Sequence, residues 1–170
     1  MKRLTLGIFI GIFLPFLAGY LAILSGRIPV ATKGEPLPFE HFIAKKVIQA
    51  AYKSDLSKGA PFTLTEDHLD SGARIYRNNC GGCHGVEDHD NLMAKAMFPP
   101  APQLFQQDKN VTDDPVGEIY WKIKNGIRLT GMPGYTDILK ESEIWEVSLF
   151  LKNANQLPDS AIKLLKGEKQ

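Results

Sequence analysis

Apolar positions follow three different patterns along this chain, and each pattern predicts a different kind of element. From Leu4 to Leu24 they run almost unbroken, with no charge among the 21 residues. As a helix this run reaches roughly 32 Å, enough for the hydrocarbon core of a bilayer. From Gly26 to about Thr63 the pattern is broken by Pro29, Pro36, Pro38 and Pro61. Only His41 to Lys53 lacks Gly and Pro there, and Phe42, Val47 and Ala50 fall at loosely helical spacing, which predicts a short helix. Beyond Leu64 the apolar residues recur with a helical period. The expected organisation is a membrane-spanning segment over 1–25, a linker with a short helix over 26–63, a helical domain over 64–155 and a C-terminal tail over 156–170.

Three helices are expected within the domain. Thr65 caps the first, Glu66 and Asp67 occupy its first turn, and Leu69, Ala73 and Tyr76 share one face with Gly72 beside them. The second starts at Asp114-Pro115, with Asp as cap and Pro at the first helical position, and stops at Asn125-Gly126. The third covers Ser142 to Asn153, where Ile144, Trp145, Val147, Leu149, Phe150 and Leu151 are too apolar for a free surface helix. A Pro-rich loop, Phe98 to Pro102, lies between them and no alternating strand pattern is visible, so the fold class is all-α with long loops. Such loops are uncommon in a small domain unless a bound group fills the middle.

Charge narrows the partners. Lys+Arg is 20 and Asp+Glu is 19, a net charge of +1, so electrostatics gives no case for nucleic acid. The linker is locally basic: Arg27, Lys33, Lys45, Lys46, Lys53 and Lys58 outnumber Glu35, Glu40 and Asp55. Its helix is a spacer, packs on the domain, or lies near the lipid surface. Lys2 and Arg3 place the amino end in the cytoplasm and the rest of the chain on the periplasmic side of the inner membrane. A retained anchor is the expectation. The competing reading is a cleaved signal peptide, whose apolar region is shorter and ends in a small-x-small site.

The two cysteines lie within one short stretch, Cys80-Gly81-Gly82-Cys83-His84. This is Cys-x-x-Cys-His, the attachment pattern for c-type haem. Two thiols one helical turn apart can each form a thioether with a haem vinyl group, and the next side chain then lies under the iron. Three rival readings use the same residues. A zinc site needs a fourth ligand, such as His89 or Asp88. A thiol oxidoreductase could use Met132-Pro133 in place of its proline loop but needs a βαβ unit. A disulfide between Cys80 and Cys83 would close a loop too small to stabilise much.

From about Leu64 to Asn155 the chain resembles a class I c-type cytochrome. The resemblance rests on Gly72-x-x-Ile75-Tyr76 before Cys80, on Cys80 to Gly85, on Gly131-Met132-Pro133-Gly134 and on the Trp145-containing helix. It implies that the first and last helices cross, with Gly72 and Tyr76 packed against Trp145, Leu149 or Phe150. It also implies a proximal role for Pro102-Gln103-Leu104, in which the Pro102 carbonyl accepts the ring N–H of His84 and orients it.

The iron would take His84 on one side. For the other side the chain offers Met93, Met97, Met132, His41, His68 and His89. Met132 stands 48 residues after His84 in a Gly-rich loop, and it matches the family's distal position. Trp121 and Arg128 flank that loop and are expected near the haem propionates, through an indole N–H and a charge-assisted bond. The expected cofactor-binding set is therefore Cys80, Cys83, His84, Met132, Pro102, Trp121 and Arg128, with His84 and Met132 on the metal. A closed His/Met iron shuttles electrons. The resemblance thus implies one covalent haem c and an electron-transfer protein rather than an enzyme, working between redox partners of a respiratory or photosynthetic chain. Two alternatives are a fixed haem subunit of an oxidase, dehydrogenase or reaction centre, and a haem enzyme or gas sensor in which Met132 dissociates.

Overall fold

The computed structural model describes residues 2–86, 91–105 and 111–168, and the chain divides into two compact units, Met1–Glu40 and His41–Gln170. His89 and Asp88 lie outside the described residues. In the first unit α1 covers Lys2–Leu24, with Pro15 inside it. The stretch Gly7–Leu24 has a mean hydropathy of 2.3 and is long and apolar enough to cross a membrane. Ile8, Phe9, Phe13, Phe16 and Leu17 are all exposed. Gly26, at φ 66°, ends the helix, and Ser25 Oγ donates to the Ala22 carbonyl at 2.7 Å.

The second unit is all-helical: among the described residues there is no strand. Its elements are α2 (Glu40–Tyr52), α3 (Glu66–Asn79), α4 (Gly81–His84), α5 (Leu92–Ala96), α6 (Val116–Asn125), α7 (Glu141–Lys152) and α8 (Asp159–Lys166), with short 3-10 turns at Lys53–Asp55 and Val111–Asp113. Thr65 caps α3, its Oγ1 accepting from the His68 N–H. The cap of α6 is Pro115 rather than Asp114, one residue later than its sequence predicts. Asp114 is instead occupied with Lys122, 3.1 Å away.

Helices α3 and α7 build the core because Gly72 lets them touch. A Cβ at Gly72 would stand 2.5 Å from Phe150 Cβ and 2.6 Å from the Glu146 carbonyl oxygen. Tyr76 and Phe150 are fully buried, their ring centres 5.7 Å apart, and Phe105 meets Tyr76 edge-on at 5.1 Å. Of the three partners the resemblance offers, Phe150 takes this contact. Trp145 turns to α6, where it stacks on Tyr120 at 3.9 Å.

The expected tail contains α8, which packs on α3 through Ala161 and Leu165, and Ser160 Oγ donates to Asp70 Oδ1 at 2.7 Å. Leu165 is 5% exposed, so Leu165→Ala should cost about 2–3 kcal/mol. Thermal denaturation checks this. An unchanged midpoint would show that α8 adds nothing to the core.

Candidate functional site

The Cys-x-x-Cys-His turn follows directly from α3, and its geometry depends on where its carbonyls find donors. The last carbonyls of a helix have no intrahelical partner and must be satisfied from elsewhere. Here each one is. Tyr135 OH donates to the Asn79 carbonyl at 2.8 Å, Asn91 Nδ2 to Gly82 at 2.7 Å and Gln103 Nε2 to Cys83 at 3.0 Å. The Leu104 N–H donates to the His84 carbonyl at 3.2 Å, and Tyr76 OH to Gly85 at 2.6 Å. Side chains from four separate stretches thus hold one short turn. Gly85, at φ 74°, ends it.

His84 is oriented by a single contact: its Nδ1 lies 2.8 Å from the Pro102 carbonyl oxygen. A carbonyl can only accept, so Nδ1 carries the proton and Nε2 keeps a lone pair free to bind metal. The Cys80 thiol is pushed up to about 12 by burial, with the neighbouring Cys83 adding to the effect. It is therefore protonated at neutral pH. Both cysteines are free of any disulfide. Among the described residues no set of three or more His, Cys, Asp or Glu side chains converges as a metal cage.

Cys80, Cys83 and His84 line a cavity of about 480 Å³, whose walls also include Tyr76, Leu104, Ile119, Ile123, Ile127 and Leu151. Met132 lines the same cavity. Its loop is tied to the end of α6: the Ile127 N–H donates to the Met132 carbonyl at 3.1 Å, and Thr130 Oγ1 accepts from the Met132 N–H at 3.1 Å. Gly126 makes this fold-back possible. It sits at φ 66°, and a Cβ there would fall 2.5 Å from Gly134 N and Pro133 C.

Other sulfur and imidazole groups separate cleanly. Met97 lines the cavity beside Gly131, whereas Met93 is 64% exposed on α5. His41 is exposed with its ring 6.5 Å from that of Phe98, and the His68 ring lies tilted against Phe62 at 4.4 Å; neither lines the cavity.

Trp121 and Arg128, expected near the propionates, are not in the cavity lining either. Trp121 lies edge-on against Tyr52, centroids 6.2 Å apart, and Arg128 is exposed. Lys122 is the one basic side chain in the lining among the described residues. It pairs with Glu118 at 2.6 Å and with Asp114 at 3.1 Å. Burial pulls the Lys122 ammonium down, but the bond to Glu118 and the charges of Asp114 and Glu118 outweigh it, so its pKa lies above the usual lysine range and the positive charge is secure.

An apolar cavity with two thiols, an oriented imidazole and a thioether in its walls suits an iron porphyrin: a broad hydrophobic face for the ring and soft or imidazole donors for the metal. Fold and site together define a c-type cytochrome domain, haem-binding and built for electron transfer. Residues 67–151 match the family described as cytochrome C oxidase, cbb3-type, subunit III, and the chain belongs to that family. None of the curated proteins compared with it matches.

Proposed function

We propose that the chain is a membrane-tethered cytochrome carrying one haem c, attached through Cys80 and Cys83, with His84 and Met132 on the iron, and that it passes single electrons between redox proteins. The observation that carries this reading is the His84 to Pro102 bond of 2.8 Å in a cavity that Met132 also lines. Bound haem supplies one-electron redox chemistry. The chain's own residues do the rest. Pro102 holds the His84 ring in the tautomer that leaves Nε2 available, and the five donors around the turn keep both thiols and the imidazole in place before attachment. Apolar walls keep water from the site, and the Lys122 ammonium, with Asp114 and Glu118 beside it, sets the charge at its rim.

Helix α1 anchors the domain, with the amino end in the cytoplasm and the haem domain on the periplasmic side of the inner membrane; Lys2 and Arg3 ahead of the apolar run support that orientation. The family description favours a second form of the same reading. The domain would be a fixed subunit of a larger membrane complex such as an oxidase, not a carrier moving between complexes. Mild detergent extraction separates these, since a fixed subunit migrates with stoichiometric partners and a carrier migrates alone.

Covalent attachment is tested by acid acetone, which should leave the colour on the polypeptide together with a mass increase of one haem. Cys80→Ser or Cys83→Ser should prevent the two-thioether product. Clean extraction of pigment from the unmodified protein would refute the attachment.

A further inference from the structure

The helix α2 carries apolar residues on two opposite faces, and the domain covers only one of them. Tyr52 is buried against Trp121 and Ile48 is half-buried, while His41 on the same side meets Phe98. At 100° per residue Ile43 and Val47 lie across the helix from Ile48 and Tyr52, with Phe42 flanking them. These three are 56%, 64% and 62% exposed, respectively. From His41 to Val47 every residue is exposed, so nothing in the domain shields this outward face.

Three further features define what covers it. After Glu40 the helix and the next residue carry Lys45, Lys46 and Lys53 and no acid, which complements an anionic surface. Lys46 sits within the outward face, and its Nζ lies 5.9 Å from the Phe42 ring centre. Its stem therefore runs along apolar neighbours while the ammonium reaches outward, as lysines do at a lipid boundary. Finally, α2 begins 16 positions after Leu24, the last residue of the one helix among the described residues that is long and apolar enough to cross a membrane. That tether, at about 3.3–3.6 Å per residue, limits the excursion of α2 from the bilayer to roughly 55 Å and keeps a lipid surface at high effective concentration.

We propose that α2 is an interfacial helix, its Phe42, Ile43 and Val47 face inserted among the headgroups of a bilayer that contains anionic lipid, with Lys45, Lys46 and Lys53 on the lipid phosphates. The inference rests on α1 crossing that membrane and is independent of the haem. It gives the linker a mechanical role: the domain is held at the bilayer by two contacts instead of swinging on one.

Full-length protein carrying a benzophenone amino acid at a single position, reconstituted in vesicles of phosphatidylcholine and phosphatidylglycerol, tests this by mass spectrometry of lipid adducts after illumination. Positions 42, 43 and 47 should give on the order of tenfold more lipid adduct than position 41, which lies on the domain-facing side, and the difference should shrink in pure phosphatidylcholine or when Lys45, Lys46 and Lys53 are changed to glutamine. Position 13, within α1, is the control for the anchor. Adducts at 13 with none at 42, 43 and 47 would overturn the interfacial helix and leave the anchor standing. Absence of adducts at 13 would overturn both. In native membranes, protein adducts at 42, 43 and 47 in place of lipid would also overturn it, in favour of a docked protein.

Discussion

Gly72→Ala is expected to destabilise the domain by about 3 kcal/mol or more, a fall of more than about 10 °C in the thermal midpoint. The added Cβ meets Phe150 Cβ at 2.5 Å and the Glu146 carbonyl at 2.6 Å. Neither obstacle is the far end of a flexible side chain, so α3 and α7 must separate. Separation also loosens Tyr76 and Phe150, the largest fully buried side chains, and with Tyr76 goes the donor to Gly85. Haem attachment should therefore suffer along with stability. Gly82→Ala is the control, because nothing lies within 4 Å of a Cβ there. Circular dichroism melts of both variants measure the effect, and equal midpoints would mean that the helices do not approach through Gly72.

Met132→Ala should change the chemistry more than the fold. Sulfur on ferric iron gives a weak far-red charge-transfer band that imidazole ligation lacks. The variant should lose that band, bind carbon monoxide when reduced where the parent does not, and show a reduction potential lower by on the order of 100 mV. Met97 lines the same cavity, so Met97→Leu is the necessary comparison and should leave all three properties nearly unchanged. If the band disappears with Met97 and survives without Met132, the distal ligand is Met97. Carbon monoxide binding by the unmodified reduced protein would favour the enzyme or sensor alternative.

The helices that carry the site were legible because their signals are local. Thr65 with Glu66 and Asp67 marks the start of α3, and Gly126 marks the end of α6, by residue chemistry within a single turn. Helix α8 has such signals as well. Pro158 precedes Asp159, Ala161 and Leu165 follow at i, i+4, and Gly167 ends it in the left-handed region, so the expectation of a tail overlooked a readable helix. Trp121 and Arg128 stand outside the cavity lining for another reason. Proximity in sequence to the Met loop says nothing about helical phase. Ile119, Lys122 and Ile123 share the face of α6 that meets the cavity, and Trp121 is turned toward Tyr52.

What the order of residues determined by itself is the chemistry that neighbours can perform: two thiols and an imidazole within one turn, and an uncharged run long enough to cross a bilayer. Those depend only on helical rise and on adjacency. The Pro102 contact with His84, 18 positions away, was implied by the resemblance; the tertiary structure decided other contacts across long loops: that Asn91, Gln103 and Tyr135 hold the turn, that Met97 joins Met132 in the wall, and that Lys122 is the cation there. Many loop paths are compatible with one sequence pattern. The close approach of α3 to α7 at Gly72 and of the Met loop to Gly126 narrows them.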